Sequence, residues 1–156
     1  MALEDVRNYL KQWQRDRAII EMDVSTATVP LAAAALGVIP ARIAKSISLR
    51  IGDRVIILVT AGDARIDNRK FKDRFGFKAK MLSAEETPVL TGHEVGGVCP
   101  FALPPGTEVY LDESMKRFNT VFPACGSANS AIELTPAELE EYSPCCGWVD
   151  VCQLNS

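Results

Sequence analysis

Two neighbouring stretches, Lys45-Ser-Ile-Ser-Leu-Arg and Arg54-Val-Ile-Ile-Leu-Val-Thr, constrain the fold more than any other part of the chain. The first alternates polar and apolar residues, the period of a strand buried on one face. The second is nearly continuous in apolar residues, as a strand is when both its faces are covered. Gly52-Asp53 between them is a turn signal, so the pair predicts a hairpin whose second strand runs through the middle of a sheet.

The rest of the chain supplies the cover for that sheet. Leu3, Val6, Leu10 and Trp13 fall at helical spacing and predict an amphipathic helix from about Ala2 to Arg17, followed by a short strand from Ala18 to Met22. Thr28 can cap an alanine-rich helix that Gly37 ends, and Pro40 opens one more helical turn leading to Lys45. Asp67 or Asn68 can cap a third helix that stops at Gly76, with Phe71 and Phe75 facing inward. Ser83 with Glu86, and Thr135 with Glu138, are capping boxes that open two short helices, the second ending near Tyr142. Further strands are expected at Phe77–Leu82, Gly96–Phe101, Thr107–Leu111, Phe118–Ala124, Ala131–Leu134 and Trp148–Cys152. The expected fold is therefore one α+β domain over residues 1–156, a mixed, curved, partly barrel-like sheet with helices around it.

The stretch Thr91-Gly-His-Glu-Val-Gly-Gly-Val-Cys-Pro-Phe101 concentrates the chemistry. It holds His93, the single histidine, and the pair Gly96-Gly97 ahead of Val98, Cys99 and Pro100. Adjacent glycines let a backbone come close to a ligand and present bare N–H groups to a carbonyl or an anion. Read by pattern alone, the same stretch is first a tight turn or bulge between strands.

Composition narrows the function classes. Hydrophobic residues make up 47% and charged residues 24% of the 156, an ordinary globular balance, and no apolar run approaches the ~20 residues of a membrane span. The N-terminus has early acids and no apolar run, which reads as no signal peptide and a cytoplasmic protein. Five cysteines in no disulfide-framework spacing fit reduced thiols, and without a C-x-x-C pair they do not suggest a zinc site. The net charge of −3 argues against non-specific nucleic-acid binding. Yet Arg65 to Lys80 carries seven basic residues against Asp67 and Asp73, a local +5 that suits a phosphate-bearing partner as well as it suits a solvated helix face.

Taken in order, these features resemble the YbaK family of aminoacyl-tRNA editing deacylases, which includes the editing domain inserted in bacterial prolyl-tRNA synthetases. The resemblance is carried by Leu36-Gly37-Val38, by Lys45 opening its strand, and by the hairpin with Ala61-Gly62-Asp63 after it. It continues through the basic helix, Met81-Leu82-Ser83, the glycine loop, Asp112 and Ala131-Ile-Glu-Leu-Thr-Pro-Ala-Glu-Leu, and covers roughly Ile19 to Tyr142. It implies hydrolysis of the ester joining a wrong amino acid to its tRNA, most often tRNA for proline, with no metal or organic cofactor and with prolyl-tRNA synthetase as a further partner. The family's G-x-x-x-P loop corresponds to Gly96, Gly97, Val98, Cys99 and Pro100, beside the aminoacyl group, and its essential lysine to Lys45.

The chemistry allows for this. An aminoacyl ester is already activated, so holding water or a group of the substrate against the carbonyl can suffice. Lys45 would serve as a fixed positive charge on the terminal adenosine's phosphate or ribose, or as a proton donor if burial lowers its pKa. His93 is the general base by residue type, but the family varies at that position, which makes it a loop or pocket-edge residue. Asp112 either orients Lys45 or a hydroxyl, or accepts backbone N–H bonds at its strand end. Arg69, Lys70 and Arg74 are the expected contacts to tRNA. One segment departs from the family: Ala124 to Ser130, where Gly126 is kept but Ser127 and its neighbours replace a glycine-rich basic turn near the amino-acid pocket. That change keeps a second class open, a non-catalytic module that binds the acceptor end or an aminoacyl group.

Overall fold

In the computed structural model, residues 2–154 are described, and the hairpin organises them. The first helix, α1 (Ala2–Leu10), buries Val6 and Leu10 and is shorter than its periodicity predicts. The chain tightens into a 3₁₀ turn at Lys11–Trp13 and leaves the helix at Gln14, which takes a left-handed φ of 60°. That exit lays the Trp13 ring against Tyr142, 4.6 Å between centroids, so the apolar spacing continues past the helix that it suggested. β1 (Ile20–Glu21) is short. α2 (Val29–Leu36) is capped by the Thr28 hydroxyl, which accepts from the Leu31 N–H, and ends at Gly37 with φ 70°.

β2 (Ile43–Ile51) and β3 (Arg54–Ala61) form the predicted antiparallel hairpin, paired from Ala44↔Ala61 to Ile51↔Arg54. β4 (Ala64–Ile66) follows at once, too short to show a period in the sequence. Asp67 caps α3 (Asn68–Phe75) through two N–H bonds, and Phe71 and Phe75 face the core as expected. β5 is only Lys80–Met81, and α4 (Glu86–Thr91) begins behind the reciprocal Ser83–Glu86 bonds of the capping box. β6 (Glu108–Asp112), a 3₁₀ turn at Glu113–Arg117, β7 (Phe122–Pro123), β8 (Ser130–Ala131) and α5 (Pro136–Tyr142) follow, the last opened by the Thr135–Glu138 capping box.

Two expected strands are corrected. Gly96–Phe101 is not a strand: the Gly97 N–H donates to the Glu94 carbonyl and the segment curls on itself, as paired glycines and a proline favour. The expected Trp148–Cys152 strand is two, β9 (Cys145–Val149) and β10 (Cys152–Leu154). Between them the Val151 N–H turns to the Asp112 carboxylate, 3.0 Å away, which carries the chain off β6 and onto β4.

The main sheet runs β5-β2-β3-β6-β9, with β7 beside β2, and stays open. β2 pairs antiparallel with β3 and β5, while β3–β6, β6–β9 and β2–β7 are parallel, so the sheet is mixed. β3 is the central strand its apolar run predicts: Ile56, Ile57, Leu58 and Val59 are fully buried. Around them Leu10, Phe71, Phe101, Leu111 and Ile132 complete one core, and Ala32, Ala33, Ile43 and Phe122 form a smaller cluster under α2. No described helix is long and apolar enough to cross a membrane.

Candidate active site

The site lies where the sheet is incomplete. On its outer edge β2 is paired at Ile43–Ala44 by β7 and at Leu49–Arg50 by β5, so no described strand covers Lys45 to Ser48. A cavity of about 400 Å³ opens at that gap, within the ordinary size of a small-molecule site. Its walls come from Thr26–Val29 and Ala32 at the start of α2, from Ile43–Ser48, from Leu82 and Thr87, and from Gly96 and Val98 of the glycine loop. Phe122, Ala124 and Ala131 also line it. The lining is apolar with a few hydroxyls, and among the described residues Lys45 is its single ionisable side chain.

Lys45 is half-buried and its Nζ donates to the Ala64 carbonyl at 2.6 Å. Burial pushes its pKa below the ordinary lysine value, and the neighbouring Cys152 and Asp63 oppose that shift. Of the loop residues expected beside it, Gly96 and Val98 line the cavity, while Gly97, Cys99 and Pro100 are packed behind them. Gly97 sits directly on the Gly126–Ser127 turn, where a Cβ would meet the Ser127 nitrogen at 2.8 Å. The departing segment is thus the back support of the loop, and only its ends, Ala124 and Ser130, reach the cavity. The Ser127 hydroxyl is within hydrogen-bond distance of the Ser130 hydroxyl, 2.7 Å, and donates to the Asn129 side chain.

His93 stands inside the protein, 1% exposed, and does not line the cavity. Its Nε2 lies 2.7 Å from the Phe101 carbonyl, which requires the proton on that nitrogen and ties the two ends of the loop together. Burial holds its pKa below the ordinary histidine value. Cys99 packs against the same ring at 3.5 Å, and burial pushes its thiol up to about 12. Asp112 is also away from the cavity. Its carboxylate accepts from the N–H groups of Ser114 and Val151, which matches the strand-end reading.

The basic helix presents Arg69, Lys70 and Arg74 to solvent, none of them in the cavity wall. Lys70 is paired with Asp150 and the Cys152 carbonyl, and Arg74 lies over the Phe75 and Tyr110 rings. Among the described residues no group of three or more His, Cys, Asp or Glu is placed to hold a metal ion. The Thr26–Thr28 wall and the hydroxyls of Ser46 and Ser48 escape a reading of the sequence. Their only signals there are the cap at Thr28 and two serines spaced to share a face of the Lys45 strand.

Comparison with known proteins places most of the chain in one family. A family model described as the aminoacyl-tRNA editing domain matches residues 23–142. The chain is 58% identical over 154 residues to the uncharacterized protein YwhH of Bacillus subtilis, covering 98% of each. It is 31% identical over 93 residues to the proline–tRNA ligase of Bacillus licheniformis, covering 59% of this chain but only 16% of the ligase. A solved structure described as a candidate trans-editing enzyme for prolyl tRNA synthetase superposes with a TM-score of 0.87 at 25% identity, covering 97% of each chain.

Proposed function

The chain belongs to the aminoacyl-tRNA editing domain family, and from that premise we propose that it hydrolyses, in trans, the ester of mischarged aminoacyl-tRNA. The substrate in this reading is tRNA for proline carrying a small non-cognate amino acid: cysteine, alanine or serine. The observation that carries it is the cavity at the uncovered edge of β2, in which Lys45 is the sole ionisable side chain among the described residues and the glycine loop forms one wall. Such a site has no built-in nucleophile–base pair and suits an ester that needs only orientation and charge stabilisation. Lys45 acts as a fixed positive charge on the terminal adenosine, and Gly96 and Val98 face the scissile carbonyl. The Gly97 N–H is spent on Glu94, so it is not the donor for that carbonyl. The exposed basic helix takes the acceptor-end phosphates, and a prolyl-tRNA synthetase is the partner that would hand over or compete for the tRNA.

The test is deacylation of a panel of labelled tRNAs by wild type and Lys45→Ala. The panel pairs tRNA for proline with alanine, cysteine, serine and proline, beside matched non-proline tRNAs. Turnover of one mischarged species, lost in the variant, is the expected result and names the substrate. No turnover across the panel, with saturable tRNA binding retained, would instead identify a binding module on the same fold.

A further inference from the structure

The Ala61-Gly62-Asp63 segment belongs to the family pattern, yet none of it lines the cavity. It forms the tight connection between β3 and β4, and it is clamped from three sides. A Cβ on Gly62 would lie 2.1 Å from the Pro40 carbonyl oxygen and 2.9 Å from the Val29 side chain, so the connection is pressed against the Pro40–Arg42 turn and the start of α2. The Ala61 N–H donates to the Ser114 hydroxyl at 3.1 Å. Arg117 grips both carboxylate oxygens of Asp63, Nη1 to Oδ2 at 3.0 Å and Nη2 to Oδ1 at 2.6 Å, while its Nε donates to the Ser114 carbonyl at 2.8 Å. The next carbonyl along, that of Ala64, receives the Lys45 ammonium.

We propose that Asp63, held by Arg117, is a positioning residue for Lys45: it fixes the connection whose Ala64 carbonyl seats the ammonium, and it places a permanent anion one residue before that carbonyl. The inference rests on the reading of Lys45 as the working cation of deacylation. A bidentate Arg–carboxylate pair is geometrically specific in a way that a single surface contact is not, which is what holding one carbonyl in place requires.

The charged groups around Lys45 support the assignment. Arg117's hydrogen bonds hold the Asp63 carboxyl below the ordinary carboxylate range, so Asp63 is ionised at every working pH. Cys152 is the other group near Lys45, but burial pushes its thiol up to about 12 and it is neutral under the same conditions. Lys70 is bonded to Asp150 and the Cys152 carbonyl, and Asp112 accepts from two backbone N–H groups. Among the described residues, Asp63 is therefore the one anion that opposes the desolvation of Lys45 near neutral pH.

The experiment follows the Lys45 ammonium directly, by NMR titration of lysine labelled at Cε, with Lys45→Met to assign the signal. In Asp63→Asn the Lys45 titration moves to lower pH, and in Asp63→Glu it returns toward wild type. In Arg117→Gln the same signal moves to higher pH, because the carboxylate is no longer shared. Opposite displacements in the two variants are a signature that general loosening of the fold does not produce. On the mischarged tRNA that the panel identifies, Asp63→Asn lowers kcat about 10- to 100-fold with little change in KM, and its alkaline limb falls at lower pH. Titration unmoved in a folded Asp63→Asn protein, or displaced in the same direction in both variants, overturns the proposal and leaves the deacylase reading to stand on Lys45→Ala. An inactive wild type removes that reading whatever the titrations show.

Discussion

Gly97 and Ser127 are in backbone contact: a Cβ on Gly97 would lie 2.8 Å from the Ser127 nitrogen and 2.9 Å from its Cα. The loop that walls the cavity and the turn that departs from the family pattern are thus two layers of one structure. Gly97→Ala forces backbone against backbone, where neither side can rotate away. Overpacking of that kind costs about 1–3 kcal/mol, and it displaces Gly96 and Val98 from the cavity wall. Gly37→Ala is the control. Gly37 has φ 70° but open space around it, so its alanine costs only the left-handed conformation, about 1–2 kcal/mol. Urea unfolding should show both losses, and deacylation should fall at least tenfold in Gly97→Ala alone. Equal activity in the two variants would mean that the loop is not held by the turn.

The sequence makes this packing half visible. Paired glycines announce a close backbone approach, but its partner lies about thirty residues on, and no local pattern carries that pairing. The same limit explains the rest. Elements with strong local signals are where the sequence places them: the β2–β3 hairpin, both capping boxes, and the Thr28 and Asp67 caps. Elements decided by distant contacts are not. α1 stops early because Trp13 packs on Tyr142, and β9 ends because Asp112 captures the Val151 N–H. Within the site, Lys45 is legible by its place at the strand opening, whereas the cavity itself exists because β5 and β7 leave part of β2 uncovered, a fact of topology.

His93 gives the protein an acid-sensitive core. Its folded-state pKa is lowered by burial, so the neutral ring is preferred in the fold and the protonated ring in the unfolded chain. Stability from this group is therefore complete above about pH 6.5 and declines as pH falls below that unfolded value. Because the chain has a single histidine, the slope between pH 7 and 5.5 reports mainly on it. The slope is bounded at about 1.4 kcal/mol per pH unit for one proton. Urea midpoints across that range should fall in wild type and stay flat in His93→Gln. A wild-type protein whose midpoint is constant over the range would show that the ring titrates freely in the fold.

The basic helix is tested by salt as much as by affinity. Arg69, Lys70 and Arg74 are exposed, but Lys70 already has Asp150 and Arg74 lies over two rings, so their charges are partly committed. Reversing all three to glutamate should weaken tRNA binding. For every phosphate that the helix no longer neutralises, the dependence of log affinity on log salt should also flatten by about 0.7 to 0.9. Filter binding across a roughly fourfold range of salt around the physiological value measures both quantities. An unchanged slope in the triple variant would move the tRNA interface to another face.

The C-terminal strand lies outside the matched family segment, which ends at residue 142, yet it lies against the structure that seats Lys45. β10 pairs with β4 in the register Cys152↔Ile66, Gln153↔Arg65 and Leu154↔Ala64, so it is the only described strand partner of the residue that accepts the Lys45 ammonium. Ending the chain after Val151 keeps the Val151 bonds to Asp112 and Asp67 and removes β10 together with the Lys70 bond to the Cys152 carbonyl. It also uncovers the core around Cys152, which is buried, at a cost of about 1–3 kcal/mol. For a chain of this size that is a fall of roughly 2–12 °C in Tm. The specific expectation is local: amide exchange at Ala64–Ile66 accelerates far more than at Ile56–Val59, and kcat falls while KM holds, because the ammonium loses a fixed seat and the cavity wall is otherwise intact. Uniform acceleration across β3 and β4 would mean that β10 serves global stability and that Ala64 is held by the Asp63–Arg117 clamp without it.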